Sequence, residues 1–231
     1  MLKLLHEAEG SWWYKGRAAV VAGILRKFSL EGHAGSALDF GAGFGGMFGT
    51  LKRFSGRVYA FEPDPIAQKA LRERGYAEVF DTPEAALKSS YDITALFDVI
   101  EHIKDDKKFL AGLAGALSSG GRVVLTAPAY QWLWSEHDVA NHHFRRYTKA
   151  SLTCLLREAG FTVEYAGYWN TLLFLPAAIT RLFGVGGGGA LLMPPAVDRI
   201  LLRVVRIEVA LMRLFPLPFG LSVVVVASKA A

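Results

Sequence analysis

The residues best able to do chemistry begin with Asp39-Phe40-Gly41-Ala42-Gly43-Phe44-Gly45-Gly46, where an apolar run ends on a carboxylate and enters a glycine turn. Glycines there permit positive φ and let a ligand approach backbone that a Cβ would shield. Gly41, Gly43 and Gly46 also satisfy G-x-G-x-x-G, a pyrophosphate-binding pattern that is weak taken alone. Asp39 argues against a pyrophosphate, which it would repel, and for the ammonium of an amino-acid tail. Glu62 closes the next apolar run, Val58–Phe61, where a carboxylate can accept hydrogen bonds from a ribose diol in either kind of ligand. Further on, Phe97-Asp98-Val99-Ile100-Glu101-His102 and the later His143-Phe144-Arg145-Arg146-Tyr147 bring titratable groups to two loops. His102, His143 and Tyr147 are the candidates for exchanging a proton with a substrate. Each has a structural alternative: His102 as the start of a helix, His143 and Tyr147 as loop braces. Arg145 and Arg146 either grip an anionic substrate group or pair with Asp138.

The elements that must position these groups alternate along the chain. Strand-like runs fall at Ala37–Phe40, Val58–Phe61, Ala77–Phe80, Tyr91–Phe97 and Arg122–Ala127. Helical runs lie between them, at Gly46–Phe54, Pro65–Arg74, Glu84–Ser89 and Asp105–Leu117. Pro65 suits a first helical turn and Gly75 a helix stop. Such alternation implies βαβ units, a parallel sheet and right-handed crossovers. A polar, aromatic loop at Pro128–Tyr147 precedes a helix at Thr148–Ala159, a strand at Phe161–Tyr168 and a last, buried strand at Leu221–Ala227. A helix at Gly16–Phe28 stands ahead of the first strand. One domain over 1–231 is expected: a helical cap at 1–35, a ligand-binding core at 36–169, an apolar helical insertion at 170–220 and the last strand at 221–228.

Composition narrows the class. Hydrophobic residues make up 52% and charged residues 20%, enough for a packed core and against disorder. The net charge of +5 comes largely from the last quarter, and the basic residues form no dense tract, which excludes a nucleic-acid binder. The single cysteine, Cys154, permits no intrachain disulfide and reads as a buried filler in a reducing, cytoplasmic setting. No stretch reaches the ~18–20 apolar residues of a membrane span, and the N-terminus has no apolar core of signal-peptide length. The nearest, 182–197, is broken by glycines and prolines.

Taken together, Asp39-x-Gly41-x-Gly43-x-Gly45, Glu62 and Phe97–His102 resemble the class I S-adenosylmethionine-dependent methyltransferases, in order and spacing, over about residues 35–170. The nearest likeness is to the branch of ubiquinone/menaquinone-biosynthesis methyltransferases. The resemblance implies an α/β, Rossmann-like, doubly wound sheet of seven mostly parallel strands with an antiparallel last strand. It implies S-adenosylmethionine as cofactor, with Asp39, Phe40, Gly41, Gly43 and Gly45 at its methionine end. Glu62 and Pro63 would then lie at the ribose, Asp81 and Thr82 at the adenine amine, and Phe97 and Asp98 at the methyl end, while His102 matches the family's Glu-His pair. The activity implied is transfer of a methyl group to an oxygen or carbon nucleophile of a small or lipid-linked acceptor. Nitrogen is less expected, since no N-P-P-Y-type run follows the fourth strand. Rival readings are an NAD-type oxidoreductase, which Asp39 disfavours, and a catalytically silent cofactor-fold binding protein.

Two segments stand apart from that resemblance. The insertion at 170–220 departs from the family and detaches the acceptor from the quinone enzymes. Within it, Arg199, Arg203, Arg206 and Arg213 edge an apolar helix face of Ile200, Leu201, Val204, Val205, Leu211, Met212 and Phe215. That face suits an anionic inner-membrane surface, a homodimer partner or the protein's own sheet. The cluster His137-Asp138…His142-His143 carries metal-ligand types but neither cysteines nor a helical H-x-x-x-H spacing, so no metal is expected. Trp12, Trp13, Trp132 and Trp134 are expected to roof the pocket or pack its lid.

Overall fold

Apolar runs bounded by glycine or polar turns become strands, and the amphipathic segments between them become helices that cover both faces of the sheet. The computed structural model describes residues 10–28, 34–182 and 193–230. The ends of the expected N-terminal cap (1–9 and 29–33) and the glycine-rich centre of the insertion (183–192) lie outside the described residues. In chain order the elements are α1 (Trp12–Lys27), β1 (Ala34–Phe40), α2 (Phe48–Lys52), β2 (Ser55–Phe61), α3 (Pro65–Arg74), β3 (Val79–Phe80), α4 (Pro83–Ala86) and β4 (Tyr91–Phe97). There follow α5 (Asp106–Gly115), β5 (Leu117–Pro128), α6 (Glu136–Ala140), α7 (Lys149–Glu158), β6 (Phe161–Trp169), α8 (Phe174–Leu182), α9 (Pro195–Leu214) and β7 (Ser222–Lys229). Short 3-10 turns at Ile100–His102 and Gln131–Leu133 complete the order.

The seven strands form one sheet in the order β3-β2-β1-β4-β5-β7-β6, with β7 antiparallel to both neighbours and the other pairings parallel. Alternation along each strand sends side chains to opposite layers. Ala37, Ile93, Ala95, Val124, Val224 and Val226 pack on one side, against Val20, Leu25, Leu51 and Val205 of α1, α2 and α9. Leu38, Phe40, Leu96, Leu125, Val223 and Val225 pack on the other, against Leu110, Leu113, Leu152 and Leu156 of α5 and α7. The doubly wound, mostly parallel fold with its antiparallel last strand is therefore present, with α8 and α9 between β6 and β7.

Local departures from the sequence expectations have physical reasons. The expected Gly46–Phe54 helix shortens to α2 because the glycine turn runs on through Met47. At the sheet edge β3 pairs over only Val79 and Phe80. Cys154 is exposed rather than buried. Leu152 and Leu156 hold the buried face of α7, and a residue midway between positions four apart lies on the opposite side of a helix.

The apolar face of α9 is in large part internal. Val205 and Met212 are buried in the core that α1 shares. The helices meet closely where α1 has glycines: a Cβ on Gly16 would stand 3.1 Å from Val205 Cγ1, and one on Gly23 3.0 Å from Val209 Cγ1. Glu208, also buried, turns its carboxylate to accept the backbone N–H groups of Asn170 and Leu172, locking the insertion to the end of β6. Among the described residues no helix is long and apolar enough to cross a membrane.

Candidate active site

Parallel register brings three carboxylates to one edge of the sheet. Asp39 pairs in register with Ala60 of β2 and Ala95 of β4, so the carboxyl ends of β1, β2 and β4 finish side by side with Asp39, Glu62 and Asp98 at or just beyond them. In open α/β sheets that edge is where ligands bind. Backbone strain gathers there too. The positive-φ non-glycine residues among those described are Asp98, Tyr130, His142 and Asn170. Three of them follow β4, β5 and β6 within two residues, and His142 lies in the loop after β5. Non-glycine residues held in this region cost free energy and cluster at functional sites.

The glycine turn is built from alternating left-handed residues, Gly41 (φ 75), Gly43 (φ 55) and Gly45 (φ 83). Their surroundings differ. A Cβ on Gly45 would meet Arg74 Cδ and Leu71 Cδ2 at 2.9 Å, so this glycine packs on α3. A Cβ on Gly43 would meet nothing within 4 Å, so its backbone faces open space. The Gly43 N–H donates to Glu62 Oε2 at 2.7 Å while Asp64 N–H donates to Oε1 at 3.0 Å, and the second loop thereby holds the first in place. Burial raises the Glu62 carboxyl above its ordinary range, against those two bonds.

Asp39 is almost wholly buried and accepts from Tyr76 Oη at 2.8 Å. Burial lifts its pKa to about 6, opposed by the Tyr76 bond and the Arg17 charge. The Phe40 side chain goes to the other face of the sheet, stacking with Phe61 and Phe109, which corrects its placement beside Asp39: only its backbone reaches the turn. Pro63 and Asp81 are exposed, and the Thr82 hydroxyl accepts from Ala85 N–H as the N-cap of α4. Phe97 is buried.

Sequence reasoning missed Arg17 and Tyr76. Arg17 lies on α1 and extends its guanidinium to Asp98, with Nη1 2.8 Å from Oδ2, while Thr126 Oγ1 donates to Oδ1 at 3.0 Å. Its Nε is buried without a hydrogen-bond partner. The same guanidinium lies close enough to Asp39 and Glu101 for its charge to offset part of the rise that burial imposes on both carboxyls. A lone arginine on an aromatic helix has no distinguishing spacing, and only the docking of α1 against the sheet reveals it.

The loop after β5 folds back on the 3-10 turn that carries Glu101 and His102. Phe144 N–H donates to the Glu101 carbonyl at 2.8 Å, and Tyr130 N–H to the Tyr147 carbonyl at 2.9 Å. Asp138 organises this loop: Arg146 contacts it through Nε and Nη2, both at 2.8 Å, Ser135 caps it, and His143 Nδ1 lies 2.9 Å from its Oδ1. The arginine pairing with Asp138 is thus Arg146's, whereas Arg145 joins Asp106 at 2.9 Å and the Lys104 carbonyl at 2.7 Å. Tyr147 is buried and donates its hydroxyl to Asp106 at 2.8 Å, and burial drives its pKa far above the ordinary value. With its proton committed to Asp106, the side chain braces the loop.

His102 and His143 meet edge to face, ring centroids 4.6 Å apart. Partial burial, followed by the His143 charge, lowers the His102 pKa, which leaves its ring neutral and able to accept a proton near pH 7. Of the aromatic residues expected over the pocket, Trp13 packs against Trp169 at 4.7 Å and Trp12 against Trp13, while Trp132 is exposed beside Tyr130 and Phe174.

Comparison with known proteins agrees with this arrangement. A family model described as "Methyltransferase domain" matches residues 12–166. No curated protein matches the chain. Among solved structures, a S-adenosylmethionine-dependent methyltransferase from Clostridium acetobutylicum aligns with a TM-score of 0.60 at 10% identity, covering 94% of this chain and 92% of that one. One from Archaeoglobus fulgidus aligns at 0.59 and 15% identity, covering 92% and 94%. A putative methyltransferase from Haloferax volcanii, solved in complex with the Trm112 methyltransferase activator, aligns at 0.60 and 17%, covering 98% and 92%. At these identities the likeness to the solved structures is one of fold.

Proposed function

The chain belongs to the methyltransferase-domain family, and from that premise we propose that it moves a methyl group from S-adenosylmethionine to an oxygen or carbon nucleophile of a small or lipid-linked acceptor. The observation that carries the reading is the placement of Asp39, buried at the end of β1 beside the open backbone of Gly43, with Glu62 closing the same turn.

The residues present fit the cofactor. A buried carboxylate at Asp39 suits an ammonium, and the orphaned Nε of Arg17 suits a carboxylate, so the two ends of an amino-acid tail each have a partner. Both Glu62 oxygens already accept one N–H, and each retains acceptor capacity for a ribose hydroxyl. Gly41 and Gly45 let the turn pack closely on Val99 and on α3 while Gly43 leaves it open, and in this reading Pro63 lies beside Glu62 at the ribose, Asp81 and Thr82 at the adenine side, and Phe97 and Asp98 at the methyl side. Bound there, the cofactor supplies a sulfonium-activated methyl group for in-line displacement.

The chain's own work is to align the acceptor and exclude water. His102, neutral near pH 7, takes the acceptor's proton, or His143 does so through the nitrogen that Asp138 leaves free. Asp98 is held by Arg17 and Thr126 and positions the loop rather than accepting that proton. The motif Phe97–His102 supports kinship with the quinone-biosynthesis branch. The exposed stripe Ile200, Arg203, Ile207 and Leu214 on α9 supports the lipid-linked form of acceptor at an anionic surface. Titration calorimetry with S-adenosylmethionine, S-adenosylhomocysteine and NADH tests the reading. Binding of the first two and not the third is expected. NADH binding alone sinks it in favour of an oxidoreductase, and binding of none in favour of a silent partner protein.

A further inference from the structure

A cavity of about 390 Å³ lies between α1, α2 and α9, with Arg26, Arg53, Arg206 and Arg213 in its lining and Ala22 and Val209 among its apolar residues. It stands apart from the candidate active site. Arg26 follows Arg17 on α1 by two and a half turns, which puts it on the opposite side of the helix and about 14 Å along it.

The positive charge of this groove is not answered from its own walls. Among the described residues, none that lines it is acidic. Neither α1 nor α2 contains an acidic residue at all. The two on α9 are engaged elsewhere: Asp198 accepts the Trp12 N–H at 2.6 Å, and Glu208 is buried against the Asn170 and Leu172 N–H groups. Arg206 and Arg213 are exposed and have no carboxylate partner among the described residues. Guanidinium groups gathered over an apolar floor match the oxygens of a phosphate better than those of any ligand without charge.

The solvent side of α9 says which kind of phosphate. Arg199, Arg206 and Arg213 recur at one spacing, and Ile200, Ile207 and Leu214, each more than half exposed, recur at the same spacing. That spacing is nearly two full turns, so each set forms a row, and an offset of one residue sets the rows side by side. A small soluble anion would meet the arginines and leave the aliphatic row in water. A bilayer surface meets both, with headgroup phosphates at the arginines and hydrocarbon at the aliphatic row.

We propose that the groove between α1, α2 and α9 seats the phosphate headgroup of an anionic phospholipid and so holds α9 against a bilayer surface. Arg206 and Arg213 belong to both the groove and the arginine row, and they join the two. The site does not rest on the methyl-transfer reading, and it stands whether or not the acceptor is lipid-linked.

The test uses the full chain without S-adenosylmethionine, sedimented with phosphatidylcholine vesicles that do or do not contain phosphatidylglycerol. Binding is expected only where phosphatidylglycerol is present. Arg206→Gln/Arg213→Gln should weaken it at least ~10-fold, each cation near an anionic surface being worth about fivefold. Ala210→Glu, which sets a carboxylate in the groove from an exposed position, should weaken it comparably. Ile207→Ser should weaken it without changing its salt dependence, because only contact with hydrocarbon is lost. Lys108→Gln/Arg157→Gln removes the same charge from α5 and α7, on the other face of the sheet, and should leave binding unchanged. Glycerol 3-phosphate, titrated by calorimetry, should bind far more weakly than the vesicles. Absence of vesicle binding, equal binding to neutral vesicles, or equal loss in the Lys108/Arg157 variant overturns the site. Glycerol 3-phosphate binding as tight as that of the vesicles replaces the lipid by a soluble phosphate ester. A lipid-free dimer that Arg206→Gln/Arg213→Gln dissolves assigns the groove to a second copy of the chain instead. S-adenosylmethionine affinity is a separate measurement and fails or stands on its own.

Discussion

Arg17 Nη1 donates to Asp98 Oδ2 across 2.8 Å, linking a helix that precedes the sheet to the residue just after β4, 81 positions later. Asp98 sits at φ 57, and the same guanidinium's field reaches Asp39 and Glu101. One cation therefore acts on three carboxylates of the candidate site, Asp98, Asp39 and Glu101.

Arg17→Met should lower S-adenosylmethionine affinity at least ~10-fold, because a ligand carboxylate loses a charge-assisted partner. It should also lower unfolding free energy by roughly 2 kcal/mol, less than a fully buried pair because a quarter of the Asp98 side chain is exposed. The double variant Arg17→Met/Asp98→Asn should recover stability without recovering affinity. Calorimetry beside urea unfolding separates the two. Wild-type affinity in Arg17→Met removes Arg17 from the ligand site.

Asp39 gives the pH dependence. Its carboxyl rises from 3.8 to about 6 on folding, so the folded chain holds that proton more tightly than the unfolded one. Ionisation then costs stability. The cost is absent below the unfolded value, grows as pH rises, and is complete above about 6, at roughly 3 kcal/mol. A cationic ligand group favours the ionised form, so S-adenosylmethionine affinity should climb as pH rises through about 6 and then level. Asp39→Asn should flatten both trends. A wild-type affinity that does not change over that window counts against an ammonium at Asp39.

Two glycines of one turn should separate stability from binding. Gly45→Ala forces a Cβ to 2.9 Å from Arg74 and Leu71 side chains at φ 83, and a loss of about 2 kcal/mol is expected. Gly43→Ala meets open space, so stability should fall by only about 1 kcal/mol for the left-handed backbone. Its methyl group fills the ligand's side of the turn, and cofactor affinity should fall the more. Thermal unfolding and calorimetry on both variants check the crossing; affinity loss that merely follows stability loss refutes it.

Arg146 should be hard to replace. Its side chain and that of Asp138 are 2% and 0% exposed, and removing the guanidinium strands a buried carboxylate. Arg146→Ala is expected to cost about 3 kcal/mol. Arg146→Lys should recover less than half, since an ammonium cannot reproduce the two-nitrogen contact. Urea unfolding of the two variants gives the comparison, and full rescue by lysine would show that charge alone matters.

Much of this was legible because it is local. Apolar alternation, Pro65 and Gly75 around α3, and the Asp39–Gly45 turn are short-range features whose conformations follow from sterics and hydrogen bonding over a few residues. Element ends were less so: Gly46 reads as a helix start, yet the turn's left-handed residues carry it to Met47. Cys154 reads as a core residue only until the phase of α7 is fixed by Leu152 and Leu156.

What the sequence by itself determined is the order of strands and helices, the glycine turn, and the carboxylates at the strand ends, since each depends on neighbours in the chain. What only the tertiary structure decided is which groups meet: Arg17 with Asp98, Tyr76 with Asp39, and His143 with Glu101 and His102. It also decided that the Phe40 side chain packs on the face of the sheet opposite Asp39 and that much of the α9 face is spent on α1. Those outcomes depend on packing across tens of residues, where the energy of a contact depends on what is buried beside it, and spacing along the chain carries no record of that.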